Sequence, residues 1–244
     1  HGMIVGHCVG AAITTSYGRA DAVPNDHPMY LGHLGRLGSE EGIEAVKQAD
    51  VILAVGTRLG QSTTFYDHRY IPADAQIIQI EIDPEELGRN YPVAVGIEGD
   101  AKAVMEGLLE QVQQAEPRPN QRWVDDVGDL AARRKRRLDA EATDNSMPIK
   151  PQRVYGELRR VMPRDAIVAL DAGLAPNFGQ DRLNYYEPRS LMTSLDLGGL
   201  GFSFPASLGA EFAAPDRPVI NFNGDGGFLF NAQEFATAVR YGLK

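Results

Sequence analysis

The stretch that decides the fold is Val219-Ile-Asn-Phe-Asn-Gly-Asp-Gly-Gly-Phe228, near the C-terminal end of the sequence. Its apolar first half predicts a strand, the glycines predict a turn, and the residues from Phe228 to about Tyr241 predict a helix. Glycines let backbone N–H groups approach a bulky anion, and the start of a helix favours a phosphate. The carboxylate of Asp225 suits a hard cation such as Mg²⁺. The stretch therefore indicates a phosphate and metal site at a strand end, with a plain turn capped by Asp225 as the alternative.

The same alternation of strands and helices extends upstream from this stretch. Helices are predicted at 151–162 and 204–212, and strands at 166–170, 190–193 and 218–222. One strand ends at Asp171-Ala-Gly173 and another ends at Gly224. Ligands of such sheets bind at the carboxyl ends of the strands, so we expect these two ends to face one crevice.

A second α/β region is predicted at the front of the chain. Strands are expected at 11–16, 50–56, 76–82 and 93–97, and helices after the capping residues Ser39 and Asp100, whereas Gly18 to Gly38 is expected to be mostly loop. The fold class is thus α/β with two doubly wound parallel-sheet domains. We place a Rossmann-like domain at 1–114, a linker with a charged helix at 115–150, and a second domain at 151–244. The first domain lacks the Gly-x-Gly-x-x-Gly fingerprint of dinucleotide sites.

The predicted linker helix carries the basic run Arg133-Arg-Lys-Arg-Arg137, with acidic residues on both sides of it. Interleaved acids favour a solvated helix face over a nucleic-acid site. Trp123 is expected to pack between domains.

Composition narrows the class of protein. The formal net charge of −9 argues against nucleic acid or an anionic membrane as a partner. The lone cysteine, Cys8, cannot form an internal disulfide, which favours a cytoplasmic location. No apolar run approaches the roughly 18 residues of a membrane span.

Several segments resemble the thiamine-diphosphate-dependent enzymes, in particular the acetolactate-synthase-like group. The segment Pro188-Arg-Ser-Leu-Met-Thr-Ser-Leu-Asp-Leu-Gly-Gly-Leu-Gly-Phe-Ser-Phe-Pro-Ala-Ser-Leu-Gly-Ala210 and the Gly-Asp-Gly turn resemble that family's pyrophosphate domain. Tyr17–Pro28, Leu31–Ser39, Ala49–Arg58, Ile77–Pro84 and Val95–Asp100 resemble its central domain. The resemblance implies that the chain is a fragment, because the family's pyrimidine domain, its activating glutamate and the asparagine that closes the metal motif find no match. We therefore expect these 244 residues to be inactive by themselves.

The resemblance assigns cofactor contacts position by position. Asp225 matches the Mg²⁺ ligand, and Gly224, Gly226 and Gly227 match residues that line the diphosphate. Gly173 and Leu174 belong to a loop that also touches the diphosphate, where only backbone N–H groups are available because Leu174, Ala175 and Pro176 replace polar residues. Gly198 and Leu200 match the residues that hold the aminopyrimidine, with Leu200 as the wedge under a bent cofactor; plain core packing is the alternative for Leu200.

The resemblance also implies an activity. It predicts a thiamine-diphosphate and Mg²⁺ dependent carboligase or lyase acting on a 2-oxo acid such as pyruvate, in which the cofactor serves as the electron sink. The alternatives are a sulfoacetaldehyde acetyltransferase-like enzyme and a non-catalytic nucleotide-binding or oligomerisation module. A homodimer or homotetramer is expected, because the family places the cofactor between subunits.

Other candidate residues carry weaker signals. His27 and His33 have no carboxylate at ligand spacing, and His68 sits in a polar loop, so surface or structural roles are favoured for all three. Arg58 is the candidate for a nucleotide phosphate in the first domain. Arg58-Leu-Gly-Gln-Ser62 replaces the Arg-Phe-Asp-Asp-Arg run of many flavin-containing relatives, so FAD is not expected.

Overall fold

A computed structural model describes residues 9–194 and 197–243 of the chain. The chain divides into two compact units, one formed by residues up to 16 together with 28–134, the other by 17–27 together with 135–244. Cys8 lies outside the described residues. Among those residues, no helix combines the length and the apolar character needed to cross a bilayer.

The first unit contains two parallel sheets. Strand β1 (Ile13–Thr15) pairs with β2 (Tyr30–His33), and β3 (Val51–Val55), β4 (Gln76–Glu81) and β5 (Val95–Glu98) form the order β3-β4-β5. Its helices are α1 (Glu40–Lys47), the short α2 (Gln61–Thr64), α3 (Ala101–Ala115) and the first part of α4 (Gln121–Ala142). The start of α1 is fixed by Ser39, whose hydroxyl accepts from the backbone N–H of Gly42, and the start of α3 by Asp100.

The second unit has one described sheet with the parallel order β7-β6-β8, made of β6 (Ile167–Leu170), β7 (Leu191–Thr193) and β8 (Val219–Phe222). Its helices are α5 (Pro151–Val161), α6 (Leu174–Arg182), α7 (Ser203–Ala213), α8 (Asp225–Phe230) and α9 (Phe235–Tyr241), together with the end of α4. All four residues of the central strand β6 are buried, which explains why its sequence is uniformly apolar. The α/β fold class with parallel sheets is confirmed.

The core of the second unit forms around Tyr155, which is fully buried on α5. Its ring lies 4.8 Å from the ring of Phe222, measured between centroids, and packs with Val168, Leu170 and Leu183. Burial raises the pKa of the Tyr155 hydroxyl well above its usual range. These apolar contacts hold α5 against strands β6 and β8.

Three local predictions are corrected by the structure. The strand β2 lies inside the stretch expected to be loop, because four buried residues next to glycines give too short a pattern to recognise. The helix α6 follows Gly173 where a loop was expected. The helix predicted from Phe228 begins earlier, at Asp225, and is interrupted at Asn231, whose side-chain amide donates to the carbonyl of Gly201 at 2.8 Å instead of facing solvent.

Three residues of the basic run of α4 pair with acidic side chains of their own unit. Arg133 pairs with Glu44 and Glu41, and Lys135 with Asp139 at 2.5 Å. Arg137 contacts Glu141 and the fully buried Asp181. These pairs favour a helix face over a nucleic-acid site, but Arg134 is buried, so the predicted solvated face does not extend over the whole run. Trp123 packs in the first unit beside Val127 and Leu130.

The end of α4 is followed by a turn held by Asp144. Its carboxylate accepts from the Lys150 ammonium at 2.7 Å and from the backbone N–H of Ser146 at 2.8 Å. The bond from Lys150, and after it the one from Ser146, lowers the pKa of Asp144 to about 2.

Candidate functional site

The carboxyl ends of β6 and β8 lie side by side. Leu170 and Phe222 are register partners, and the backbone N–H of Asp171 donates to the carbonyl of Phe222 at 3.0 Å. The chain therefore leaves the sheet at Asp171 and at Asn223 in neighbouring positions. This confirms that the two strand ends share one edge of the sheet, as the sequence predicts.

Asp171 connects this edge to the loop before α7. Its side chain is fully buried. One oxygen, Oδ1, accepts from the backbone N–H of Ala172 at 2.8 Å and of Gly201 at 3.0 Å; the other, Oδ2, accepts from the backbone N–H and the hydroxyl of Ser203, both at 2.9 Å. In the sequence Asp171 adjoins the predicted site, but no role is predicted for its side chain. The available signal was a carboxylate directly after a strand whose residues are all apolar.

Two glycines bring α8 against the same carboxylate. A methyl group on Gly227 would stand 2.8 Å from Oδ1 of Asp171 and 3.1 Å from its Cγ. Gly201 has a φ of +83°, and a methyl group there would stand 2.7 Å from Cβ of Phe230. The absence of side chains at Gly227 and Gly201 therefore lets the strand end, the loop before α7 and the start of α8 meet.

The turn before α8 leaves its backbone open. No described atom lies within 4 Å of the place where a side chain of Gly224 or Gly226 would begin. Asp225 is exposed, and its Oδ1 accepts from the backbone N–H of Gly226 at 2.7 Å. Beside it, the side-chain nitrogen of Asn223 is buried and has no hydrogen-bond partner among the described residues. A buried donor without a partner, next to open backbone, is suited to an oxygen-rich ligand.

The loop before α7 contains the other predicted contacts. Gly198 has a φ of +62°, and neither it nor Gly199 has a described atom within 4 Å of an added Cβ. The side chain of Leu200 is 49% exposed and that of Leu197 is 92% exposed. Leu200 is thus too exposed to be a core residue, which was the alternative prediction. Its exposed side chain can make an apolar contact with a ligand.

Gly173 and Leu174 lie at the first turn of α6. Gly173 precedes the helix with a φ of +137°, a conformation that favours glycine, and the Leu174 side chain is 68% exposed. Because Leu174 points an apolar group to solvent, only backbone groups are available for a polar ligand at this position.

An open pocket of about 430 Å³ lies beside the loop before α7 in the second unit. It is lined by apolar residues, two hydroxyl groups and one cation: Arg19, Leu191, Met192, Thr193, Ser194, Leu197, Gly199 and Phe202. Sequence analysis did not single out Arg19.

The weaker candidates have local structural contacts. The ring of His33 is fully buried with Nε2 3.3 Å from the carbonyl of Arg36, and Nδ1 of His68 lies 3.2 Å from the carbonyl of Ile71. His27 lies partly buried in the 17–27 segment. Arg58 is mostly exposed, 3.8 Å from Glu86. The described residues contain no group of three or more His, Cys, Asp or Glu side chains placed to hold a metal ion.

Two protein-family models match this chain, and one of them covers the segments that meet at the sheet edge. The model of the thiamine pyrophosphate enzyme central domain matches residues 7–108, and that of the C-terminal TPP binding domain matches residues 171–244. The chain belongs to the thiamine pyrophosphate enzyme family. Its TPP binding region includes Asp171, the loop before α7 and the Gly-Asp-Gly turn, so all the segments that meet at the sheet edge lie within one family domain.

Relatives of this chain include two kinds of named protein. It is 35% identical to the sulfoacetaldehyde acetyltransferase of Alcaligenes xylosoxydans xylosoxydans, with 96% of this chain and 43% of that protein covered. It is 36% identical to a probable acetolactate synthase large subunit of Methanocaldococcus jannaschii, covering 94% and 39%, and 35% identical to the acetolactate synthase large subunit of Haemophilus influenzae, covering 95% and 40%. The chain thus spans about two fifths of the length of these relatives.

Proposed function

We propose that the protein is a thiamine-diphosphate and Mg²⁺ dependent carboligase or lyase that acts on a 2-oxo acid such as pyruvate. The observation that carries this proposal is the junction at Asp171, where the strand end, the loop before α7 and the start of α8 meet within the TPP binding region. The similarity to acetolactate synthase large subunits supports the reaction class.

The residues at the sheet edge fit the cofactor. Gly224, Gly226 and Gly227 would line the diphosphate, since the first two leave open space beside their backbone. Asp225 would hold Mg²⁺, which commonly takes one or two carboxylates and completes its shell with phosphate oxygens and water. The unpartnered amide nitrogen of Asn223 adds a donor at the same place.

The remaining contacts belong to the two flanking segments. Gly173 and Leu174 would offer backbone groups to the diphosphate. Gly198 and Leu200 would hold the aminopyrimidine, because the half-exposed Leu200 side chain presents apolar surface beside a glycine with open space.

When bound, the cofactor supplies the electron sink for decarboxylation of the 2-oxo acid and for transfer of the remaining fragment to a second carbonyl. The contribution of the chain is to orient this group and to exclude water from it. The Asp171 carboxylate holds the loop before α7, so contacts within the protein would set the orientation of the cofactor.

A sulfoacetaldehyde acetyltransferase-like activity is the second candidate. It is favoured by the 35% identity to the Alcaligenes enzyme, which is as high as the identity to the Haemophilus acetolactate synthase subunit. We also propose that the protein forms a homodimer or homotetramer, because the family resemblance places the cofactor between subunits. The lone cysteine favours a location in the cytoplasm.

The two activities are separated by product analysis on the native assembly with thiamine diphosphate and Mg²⁺. We expect pyruvate to release carbon dioxide and to yield a carboligation product. Formation of acetyl phosphate and sulfite from sulfoacetaldehyde and phosphate, without turnover of pyruvate, would replace the first activity with the second. Absence of both reactions in protein that binds the cofactor would contradict the proposal and favour a non-catalytic module.

A further inference from the structure

The pocket beside the loop before α7 has the chemistry of a small acid site. Its volume of about 430 Å³ lies in the range of small-molecule sites. Leu191, Leu197 and Phe202 supply apolar walls, and Thr193 supplies a hydroxyl. Arg19 is the one cationic side chain among the described lining residues.

Residues before and after Arg19 in the sequence make polar contacts that hold it at this pocket. The backbone N–H of Gly18 donates to the side-chain oxygen of Gln180 at 2.7 Å, and the Tyr17 hydroxyl donates to Asn177 at 2.8 Å. On the other side, the buried carboxylate of Asp21 accepts from the backbone N–H groups of Ser190 and Leu191 at 3.0 and 3.1 Å. The segment 17–27 therefore packs in the second unit with Arg19 between two fixed points.

The guanidinium of Arg19 retains most of its capacity to bind an anion. Its one hydrogen bond in the described part of the chain goes from Nη1 to the neighbouring carbonyl of Gly18 at 3.3 Å, and it forms no ion pair there. By contrast, Arg182 and Arg137 in the same unit both contact the buried Asp181. An arginine carries five N–H donors in a planar arrangement that matches a carboxylate in a bidentate manner.

We propose that this pocket binds the anionic group of a small organic acid substrate, with Arg19 pairing to its carboxylate or sulfonate and the apolar walls contacting its short carbon chain. The proposal rests on the proposed function, because it names the substrate class of that site. Gly199 lines the pocket and adjoins Gly198 and Leu200, so an acid bound at Arg19 lies next to the loop assigned to the cofactor. Arg19 is thereby the residue that selects charged substrates over uncharged ones.

The first test is chemical protection of the cofactor-free native protein. Phenylglyoxal modifies exposed arginines, and peptide mass spectrometry follows Arg19 and, as an internal control, the exposed Arg189, which is outside the pocket lining. We expect pyruvate or ethanesulfonate to slow modification of Arg19 but not of Arg189, with the stronger protector identifying the anion. Methyl pyruvate, the uncharged ester, should give no protection. Equal protection by the ester, or none by either anion, would overturn the proposal.

The second test uses variants of the holoenzyme. Arg19→Gln should raise the KM of the acid substrate by about tenfold or more, as expected for loss of a charge-assisted pair. Arg19→Lys should restore part of this loss, and Arg189→Gln should have no effect. The affinity for thiamine diphosphate should stay unchanged in all three variants. An unchanged KM in Arg19→Gln would contradict the proposal.

The two proposals fail in different ways. If the wild-type protein does not bind thiamine diphosphate, the proposed function fails, whereas protection of Arg19 by pyruvate still supports an acid pocket. If the cofactor binds but no anion protects Arg19, the pocket proposal alone is lost.

Discussion

At the scale of single residues, the carboxylate of Asp171 links the end of β6 to the loop before α7. A buried carboxylate is costly unless every lone pair has a partner, and here four donors satisfy both oxygens. Apart from Ala172, those donors belong to Gly201 in the loop before α7 and to Ser203, the first residue of α7. The contacts therefore hold the loop that carries Gly198 and Leu200 at a fixed position relative to the strand end.

Two neighbouring glycines of α8 provide a matched pair of variants that tests this packing. Gly227→Ala should lower the free energy of unfolding by about 1–3 kcal/mol, because its methyl group would stand 2.8 Å from Oδ1 of Asp171. Gly226→Ala meets no described atom within 4 Å and should leave stability unchanged or slightly raised. Urea denaturation measures both.

The variants Gly226→Ala and Gly227→Ala also distinguish the effect of a glycine on packing from its effect on cofactor binding. Gly226→Ala should weaken binding of thiamine diphosphate while the fold stays intact, because its methyl group would occupy the open space assigned to the diphosphate. Equal stability of the two variants would show that Gly227 does not pack against Asp171 as described.

Local sequence was enough to assign residues to the candidate site, whereas it gave no information on how they are connected. Gly198, Leu200, Asp225 and the glycines around it were assigned from a resemblance carried by local sequence, and their contacts with the cofactor stay a prediction. The contacts of Asp171 with Gly201 and Ser203 join residues about thirty positions apart. Since no local pattern encodes such contacts, sequence analysis could place Asp171 at a strand end but could not assign its partners.

At the scale of elements, helix starts were easier to predict than helix interruptions. Ser39 and Asp100 cap helices where the sequence predicted them, because capping depends on residues two or three positions away. The interruption at Asn231 depends on a bond to the distant Gly201, and α6 depends on Gly173 adopting a positive φ. Both features require tertiary context.

The cap of α3 gives a prediction at this scale. Asp100→Ala should lower the free energy of unfolding by about 1 kcal/mol, because Oδ1 of Asp100 accepts from the backbone N–H groups of Lys102 and Ala103 at 3.0 Å. Asp74→Ala, at an exposed position in the same unit, should change it by less than about 0.5 kcal/mol. Thermal or urea unfolding provides the measurement, and equal effects of the two substitutions would argue against the cap.

At the scale of the whole molecule, the α/β class followed from alternating strand and helix patterns, and the parallel sheets agree with it. The packing of residues 17–27 in the second unit was not foreseen, since it rests on long-range bonds such as that between Gly18 and Gln180. The domain boundaries drawn at 114 and 151 stay a prediction. As a consequence of this packing, Arg19, a residue within the central-domain match, lines a pocket beside the loop before α7.

The central claim is that the Gly-Asp-Gly turn binds a metal and a diphosphate, and isothermal titration of thiamine diphosphate into the native assembly tests it most directly. The titration is run with and without Mg²⁺ on the wild type, on Asp225→Ala and on Asp216→Ala, a control at an exposed aspartate before β8. We predict Mg²⁺-dependent binding in the wild type and the control, and at least about tenfold weaker binding in Asp225→Ala. Equal affinity of all three proteins, or binding that does not depend on Mg²⁺, would contradict the account.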